Sequence, residues 1–257
     1  MMASDQNLLA QMRVVTISRE YGSGGGEISA RLAEHLGWRL IDHEIVVRVA
    51  QELQISESEV EAQDESGASL MTRILISMQA IQPAMSASAP DLLANDAQAY
   101  QEALRKVVEA AAAAGQVVIV GRGSQVLLAG RRDTLHVRVV APFDLRVAYV
   151  MRREQLDKTA ARTRIQLKDR DRIRYLQDTH HQNPTDAHLY DLVINTGVLD
   201  LESAVDLISL ALERKARKLS TPTEELGPAA GLAPYATSPS DLRPPAQASE
   251  TNASGGS

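Results

Sequence analysis

Between Arg13 and Gly37 the sequence reads RVVTISREYGSGGGEISARLAEHLG, with four glycines among the five residues from Gly22 to Gly26. A β-branched run precedes this cluster. Ile28, Leu32, Ala33 and Leu36 follow it at helical spacing, and Gly37 offers a C-terminal stop. Strand, glycine-rich turn and helix N-terminus, in that order, constrain the fold more than any other feature of the chain. Together they aim backbone N–H groups and the positive end of the helix dipole at one point, where an anion can sit. Each glycine loses extra conformational entropy on folding, so four at one junction are excessive for a plain turn.

Two phosphate-binding patterns compete for these residues. The dinucleotide pattern G-x-G-x-x-G finds Gly22 and Gly24, with Asp42 as a ribose-binding acid further on, but has Glu27 where the third glycine belongs. A glutamate there is bulky and stands beside the pyrophosphate position, so this pattern fits poorly. The P-loop pattern G-x-x-x-x-G-K-[ST] puts Arg19 on the first glycine, Gly24 on the second, Gly25 on the lysine and Gly26 on the Mg²⁺-binding hydroxyl. The cradle is kept, while its ammonium and its hydroxyl are not. Gly22, Ser23, Gly24, Gly25, Gly26 and Glu27 are the expected nucleotide-binding segment, and Glu27 in the first helical turn also suits the dipole.

Four further strand candidates are WRLID (Trp38 to Asp42), QVVIVG (Gln116 to Gly121), TLHVRVVAP (Thr134 to Pro142) and LYDLVINT (Leu189 to Thr196). They alternate with helical patterns, which predicts a parallel five-stranded α/β sheet flanked by helices, with ligands outside the carboxyl ends of its strands. Those ends deliver Ser18 to Gly26, Asp42, Gly121 with Arg122, Ala141 with Pro142, and Asn195 with Thr196. A capping box, Ser56 with Glu59, opens a stretch of helical composition, read as a helical insertion over about residues 56–114. Residues 1–12 read as an N-terminal extension and 13–219 as the domain. Residues 220–257 hold six of the ten prolines, and their low hydrophobicity predicts a disordered tail.

Composition narrows the chemistry. The chain has no cysteine, which removes disulfides, thiolate metal sites and thiol nucleophiles and makes a reducing cytoplasm the expected setting. A net charge of −6 argues against coating nucleic acid or an anionic membrane, and there is no apolar run long enough to span a bilayer. Of 27 basic residues only Lys106, Lys158, Lys168, Lys215 and Lys218 are lysine, so guanidinium groups must handle any anion. His180 and His181 are adjacent and point apart on a helix, and no metal site is expected.

Several of these segments resemble the cytidylate kinase-like family of P-loop nucleoside monophosphate kinase relatives. VVTISREYGSGGGEISARLAEHLGWRLIDHEIV resembles the opening of that family, VVIVGRGSQVLL its third-strand G-R segment, and HVRVVAPFDLRVAYVMRRE its fourth strand and following helix. KDRDRIRY is similar to the arginine-rich lid, placed over about residues 155–180, and YDLVINTGVLDLESAVDLI to the closing strand and helix. The resemblance implies a P-loop NTPase-type fold and transfer of the ATP γ-phosphate to a nucleoside monophosphate, CMP or dCMP, with Mg²⁺ carried by the nucleotide. It further implies that Asp42, Arg48, Arg122, Asp171 and Arg174 bind the acceptor.

With the lysine absent, its charge must come from elsewhere. Arg19 at the end of the first strand is one source, and the lid, with Arg170, Arg172 and Arg174 interleaved with Asp169 and Asp171, is another. There Arg170 and Arg174, four residues apart, share a helix face beside Asp171. Arg19, Arg170 and Arg174 are thus the expected catalytic residues. A nucleotide- or anion-binding module without turnover, and a kinase for another small acceptor, are the alternatives.

Overall fold

The computed structural model describes residues 10–42 and 97–227. Arg48, the Ser56–Glu59 capping box and much of the expected insertion lie outside those residues, as do residues 1–9 and 228–257. The strands are β1 (Val14–Arg19), β2 (Arg39–Ile41), β3 (Val117–Val120), β4 (Thr134–Val140) and β5 (Leu192–Asn195). All four strand pairings are parallel and the order is β2-β3-β1-β4-β5, as an α/β sheet of the P-loop NTPase type requires. The chain reverses its direction of travel across the sheet around β1, and a ligand crevice belongs at the carboxyl ends beside that central strand.

The helices are α1 (Gly25–Leu36), α2 (Ala97–Ala114), α3 (Ser124–Leu127), α4 (Phe143–Glu154), α5 (Lys158–His180) and α6 (Leu201–Ala216). Sequence periodicity locates the elements, while their ends are tighter than expected. The second strand runs over only Arg39–Ile41, and Ala187–Leu189 form a 3₁₀ turn ahead of β5. The α3 turn has no apolar period of its own. Gly37 ends α1 with φ +66°, and Asp157 and Asp200 cap α5 and α6 by accepting from Ala160 N (2.8 Å) and Ser203 N (2.7 Å).

Continuous apolar strands such as VVIV are buried on both faces, which is why they lack alternation. Val15, Ile17, Val137, Val139 and Ile194 pack against Ile28 and Leu32 of α1 and Ile208 and Leu212 of α6. On the other face Val14, Val117 and Ile119 meet Leu104, Val107 and Ala111 of α2. Each such side chain contributes about 1.5–3 kcal/mol on burial. A third, smaller cluster joins Val147 and Val150 of α4 to Ala161 and Ile165 of α5, with Tyr21 of the glycine-rich turn against it. The arginine-rich helix is therefore anchored directly beside the candidate anion cradle.

The chain divides into two units after Leu219. In the second, Thr223–Glu225 form a 3₁₀ turn. Among the described residues, no helix is long and apolar enough to cross a membrane.

Candidate functional site

From Arg19 the chain turns through Gly24 into α1. Gly24 holds φ +79°, and a Cβ there would lie 2.6 Å from Leu201 Cδ2, so only glycine satisfies both demands. Ile28 N donates to Gly24 O at 3.0 Å. The amides of Gly25, Gly26 and Glu27 precede that bond and have no acceptor within the helix, which leaves them for an anion. Ser23 is buried with its Oγ 2.9 Å from Glu20 O and 3.2 Å from Val139 O, and Thr196 Oγ1 donates to Ser23 O at 2.8 Å. These bonds shape the turn from behind.

Gly26 is exposed, and its missing side chain would meet nothing within 4 Å. Glu27 is committed to its neighbours: it accepts from Arg31 at 2.7 Å and from Tyr149 OH at 3.4 Å and lies 3.9 Å from Arg153. The Arg31 hydrogen bond leads in holding its pKa below the usual carboxylate range. Among the described residues, no group of three or more His, Asp or Glu is disposed to hold a metal ion.

The place of the missing lysine has a steric explanation. A Cβ at Gly25 would lie 2.7 Å from Arg19 Cβ, 3.2 Å from Arg19 Cγ and 3.4 Å from Val139 Cβ. The Arg19 stem fills the space through which a lysine stem would leave the helix. Arg19 then runs on until its Nη1 packs against Gly121, where a Cβ would not fit. Burial, followed by repulsion from Arg172 and Arg122, pulls its pKa down to about 9, with Asp42 opposing. Arg19 thus remains a cation at neutral pH, held among cations.

A cavity of about 380 Å³ opens beside these groups, between the carboxyl ends of β1, β3 and β4 and the α5 helix. Arg19, Arg122, Arg138, Lys168 and Arg172 line it, together with Glu20, Asp169 and Asp171. Arg122 takes φ +59° between two glycines that also have positive φ. For a residue with a side chain this costs about 1–3 kcal/mol, a strain that concentrates at ligand sites. Its guanidinium stands 5.8 Å from the Tyr175 ring centre, and Tyr175 meets His180 edge-on at 5.8 Å. Burial, then the neighbouring His181, lowers the His180 pKa.

Helix α5 is fastened to the turn by charged groups. Tyr21 N donates to Asp169 Oδ1 at 2.7 Å, and Arg172 Nη1 donates to the Arg19 carbonyl at 3.1 Å. Arg146, only 8% exposed, donates to Ala141 O (3.1 Å), Tyr21 O (3.1 Å) and Asp169 Oδ2, and lies 3.5 Å from Glu20. The Arg172 guanidinium sits 5.3 Å from the Tyr21 ring centre. Its pKa is lowered by burial, with Asp169 opposing.

The structure brings Arg19, Arg122 and Asp171 onto one cavity, with Asp42 among the charges acting on Arg19 and with Gly22 to Glu27 outside the lining, whereas Arg170 and Arg174 are exposed on α5 and do not line the cavity. Lys168 and Arg172 stand there in their place. The buried residues Ala161, Ile165 and Leu176 reveal the inward face of α5. Steps of three and four carry that stripe from Ile165 through Lys168 and Arg172 to Leu176, while Arg170 and Arg174 lie two residues, about 200°, from Arg172. That stripe was available in the sequence. Arg146, Arg138 and Asp169 gave no comparable signal, because their roles depend on contacts distant in the chain.

The cytidylate kinase-like family matches residues 14–198. A cytidylate kinase of Methanopyrus kandleri is 30% identical over 111 residues, which cover 40% of this chain and 58% of that protein. A uronate isomerase of Corynebacterium glutamicum is 36% identical over 140 residues, covering 54% of this chain and 26% of that protein. The chain thus spans less than two thirds of the length of these curated relatives. Among solved structures, an uncharacterized protein from Eubacterium ventriosum superposes with a TM-score of 0.58 at 21% identity, covering 78% of this chain and 98% of that one, a likeness of fold.

Proposed function

Because the chain belongs to the cytidylate kinase-like family, we propose that it is a phosphotransferase moving the γ-phosphoryl group of ATP to a nucleoside monophosphate, CMP or dCMP. One observation carries this reading: Arg19, Arg122 and Arg172 converge on one cavity at the carboxyl end of the strand that leads into an amide-rich turn, where burial first and then their mutual repulsion lowers the pKa of Arg19. Three crowded guanidiniums are a poor arrangement by themselves and a good one around a polyanion, since each fork meets two phosphate oxygens.

The amides of Gly25 to Glu27 and the N-terminus of α1 fit the donor phosphates, and open space at Gly26 leaves room for them. Arg122 and Arg172 hold the acceptor phosphate, with Asp42 and Asp171 at the rim of that basic cluster and Arg48 a further acceptor contact. Arg19, between the turn and the cavity, neutralises charge as an acceptor oxygen bonds to the γ-phosphorus and the bond to the bridging oxygen breaks, releasing ADP. Arg170 and Arg174 serve at the lid surface, where α5 adjusts over bound substrates. No general base is required, since the nucleophile is already an anion and positioning with charge neutralisation suffices. Mg²⁺ enters with ATP, held by phosphates and water, because Gly26 offers no hydroxyl and Glu27 is paired.

A second reading has a specific observation behind it. The Asp169 carboxylate occupies the Tyr21 amide, and neither the lysine nor the hydroxyl of a P-loop is present, as in a module that binds nucleotide without turnover. The deciding experiment incubates the chain with ATP, Mg²⁺ and a panel of nucleoside monophosphates and follows ADP. Acceptor-dependent ADP formation supports the kinase. ATP binding with no ADP formed on any acceptor supports the module.

A further inference from the structure

We propose that Arg138 is a specificity-determining residue, reading the end of the acceptor remote from its phosphate; this rests on the monophosphate-kinase reading above. Sheet register pairs Arg138 with Ser18, and Val139 with Arg19. Neighbouring strand residues point to opposite faces, so Arg138 leaves the sheet on the face opposite to Arg19. Both nevertheless line the same cavity. The cavity therefore has two basic poles, one for a phosphate and one beside Ser18, Pro184 and Thr185.

The second pole is oriented but under-used. The Arg138 side chain is 11% exposed, and its guanidinium lies 5.6 Å from the Tyr190 ring centre. Tyr190 OH in turn lies 3.0 Å from Pro184 O and 3.3 Å from Ser18 Oγ, which fixes the ring. Among the described residues, the Arg138 hydrogen bonds to Ser18 Oγ and Tyr190 OH are both 3.4 Å long and both made through Nη1. Among the described residues, the carboxylate within reach is Glu20, which is 4.0 Å from Nη2 and is already engaged by Ala141 N at 3.1 Å and Arg146 at 3.5 Å. Good N–H···O bonds are about 2.7–3.2 Å long, so a half-buried fork on a cavity wall is left with donor capacity for a ligand.

A guanidinium fork suits two adjacent acceptor atoms that carry no proton. Cytosine presents such a pair in N3 and O2. Uracil presents O2 beside an N3–H, which sets donor against donor and leaves both unpaired in a confined space, a cost that separates similar ligands. A bidentate arginine contact to a base discriminates by roughly tenfold to a hundredfold.

The test measures kcat/KM of the full chain for CMP and for UMP, with ATP and Mg²⁺, in the native protein and in Arg138→Lys, Arg138→Gln and Arg122→Ala. A native preference for CMP that shrinks at least tenfold in both Arg138 variants supports the proposal, with Arg122→Ala lowering both substrates alike. Arg138→Lys keeps the charge and loses the fork, so a role in packing or charge alone leaves the ratio intact. A CMP to UMP ratio unchanged in both Arg138 variants, even with slower rates, overturns the proposal and leaves the kinase reading standing. The same holds for a native protein that phosphorylates both equally. A native protein that phosphorylates no nucleoside monophosphate removes the kinase reading, and this proposal with it.

Discussion

Arg19 and Gly25 form an exchanged pair: the arginine stem fills the volume into which a side chain at position 25 would grow, so that a Cβ added there would lie 2.7 Å from Arg19 Cβ. In the P-loop pattern the first of these places is glycine and the second lysine. Here the bulk and the charge have moved from the helix to the end of β1. Gly25→Ala is expected to destabilise the fold by about 1–3 kcal/mol through overpacking. In an Arg19→Gly background the same change should cost much less. Urea denaturation of the two single variants and the double variant measures the coupling, and strictly additive effects would contradict the exchange.

Arg172 is expected to outweigh the two other lid arginines. Arg172→Gln should lower kcat/KM at least a hundredfold, in line with the ~2.7–4 kcal/mol associated with one preorganised electrostatic donor. Arg170→Gln and Arg174→Gln, on the exposed face, should lose less than tenfold. Steady-state kinetics of the three variants ranks them, and the reverse order would mean that α5 presents its other face during turnover.

Asp169 joins the lid helix to the turn through Tyr21 N and Arg146. Asp169→Asn keeps an acceptor and loses the ion pair, so a loss of about 1–3 kcal/mol is expected. Amide hydrogen exchange along α5 should speed up, while the strands stay protected. Uniform exchange behaviour in variant and native protein would show that Asp169 does not fasten the helix.

Much of this was legible in the sequence, for reasons that differ by element. Apolar runs such as VVIV and the 3.6-residue period of α1 and α6 report burial, and burial determines the sheet and its flanking helices. The glycine cluster announces its turn because few other residues tolerate the required backbone and contacts. Arg122 was legible as a candidate because it follows a strand end, and Asp42 for the same reason. Arg170 and Arg174 were favoured over Arg172 because a repeated charge pattern does not say which face is inward; the three-and-four stripe through Ile165 and Leu176 does. Arg138 and Arg146 stayed hidden, since their partners lie up to 125 residues away in the chain.

Acid stability follows from His136, which is buried on β4 with Nδ1 2.8 Å from Thr16 Oγ1. Burial leads in pushing its pKa below the ordinary histidine value of about 6.5. The folded state therefore keeps this ring neutral, while the unfolded state gains a proton as pH falls through about 6.5. Stability is unaffected by this group above that value and declines below it until the lower, folded pKa is reached. The decline is read between about pH 7.5 and 5.5. Denaturation curves of native protein and His136→Gln at the two pH values isolate it, and an equal pH response in both would assign the acid sensitivity elsewhere.

The central claim is that guanidinium, delivered by Arg19, supports phosphoryl transfer where a P-loop has ammonium. Its most direct measurement uses ATP labelled in the γ-phosphate, with Mg²⁺ and CMP, and counts label recovered in CDP for the native chain and for Arg19→Met. The account predicts labelled CDP from the native chain and a drop of roughly a hundredfold or more in the variant, with ATP affinity little changed. Label that never leaves ATP, or transfer by Arg19→Met at the native rate, would contradict it.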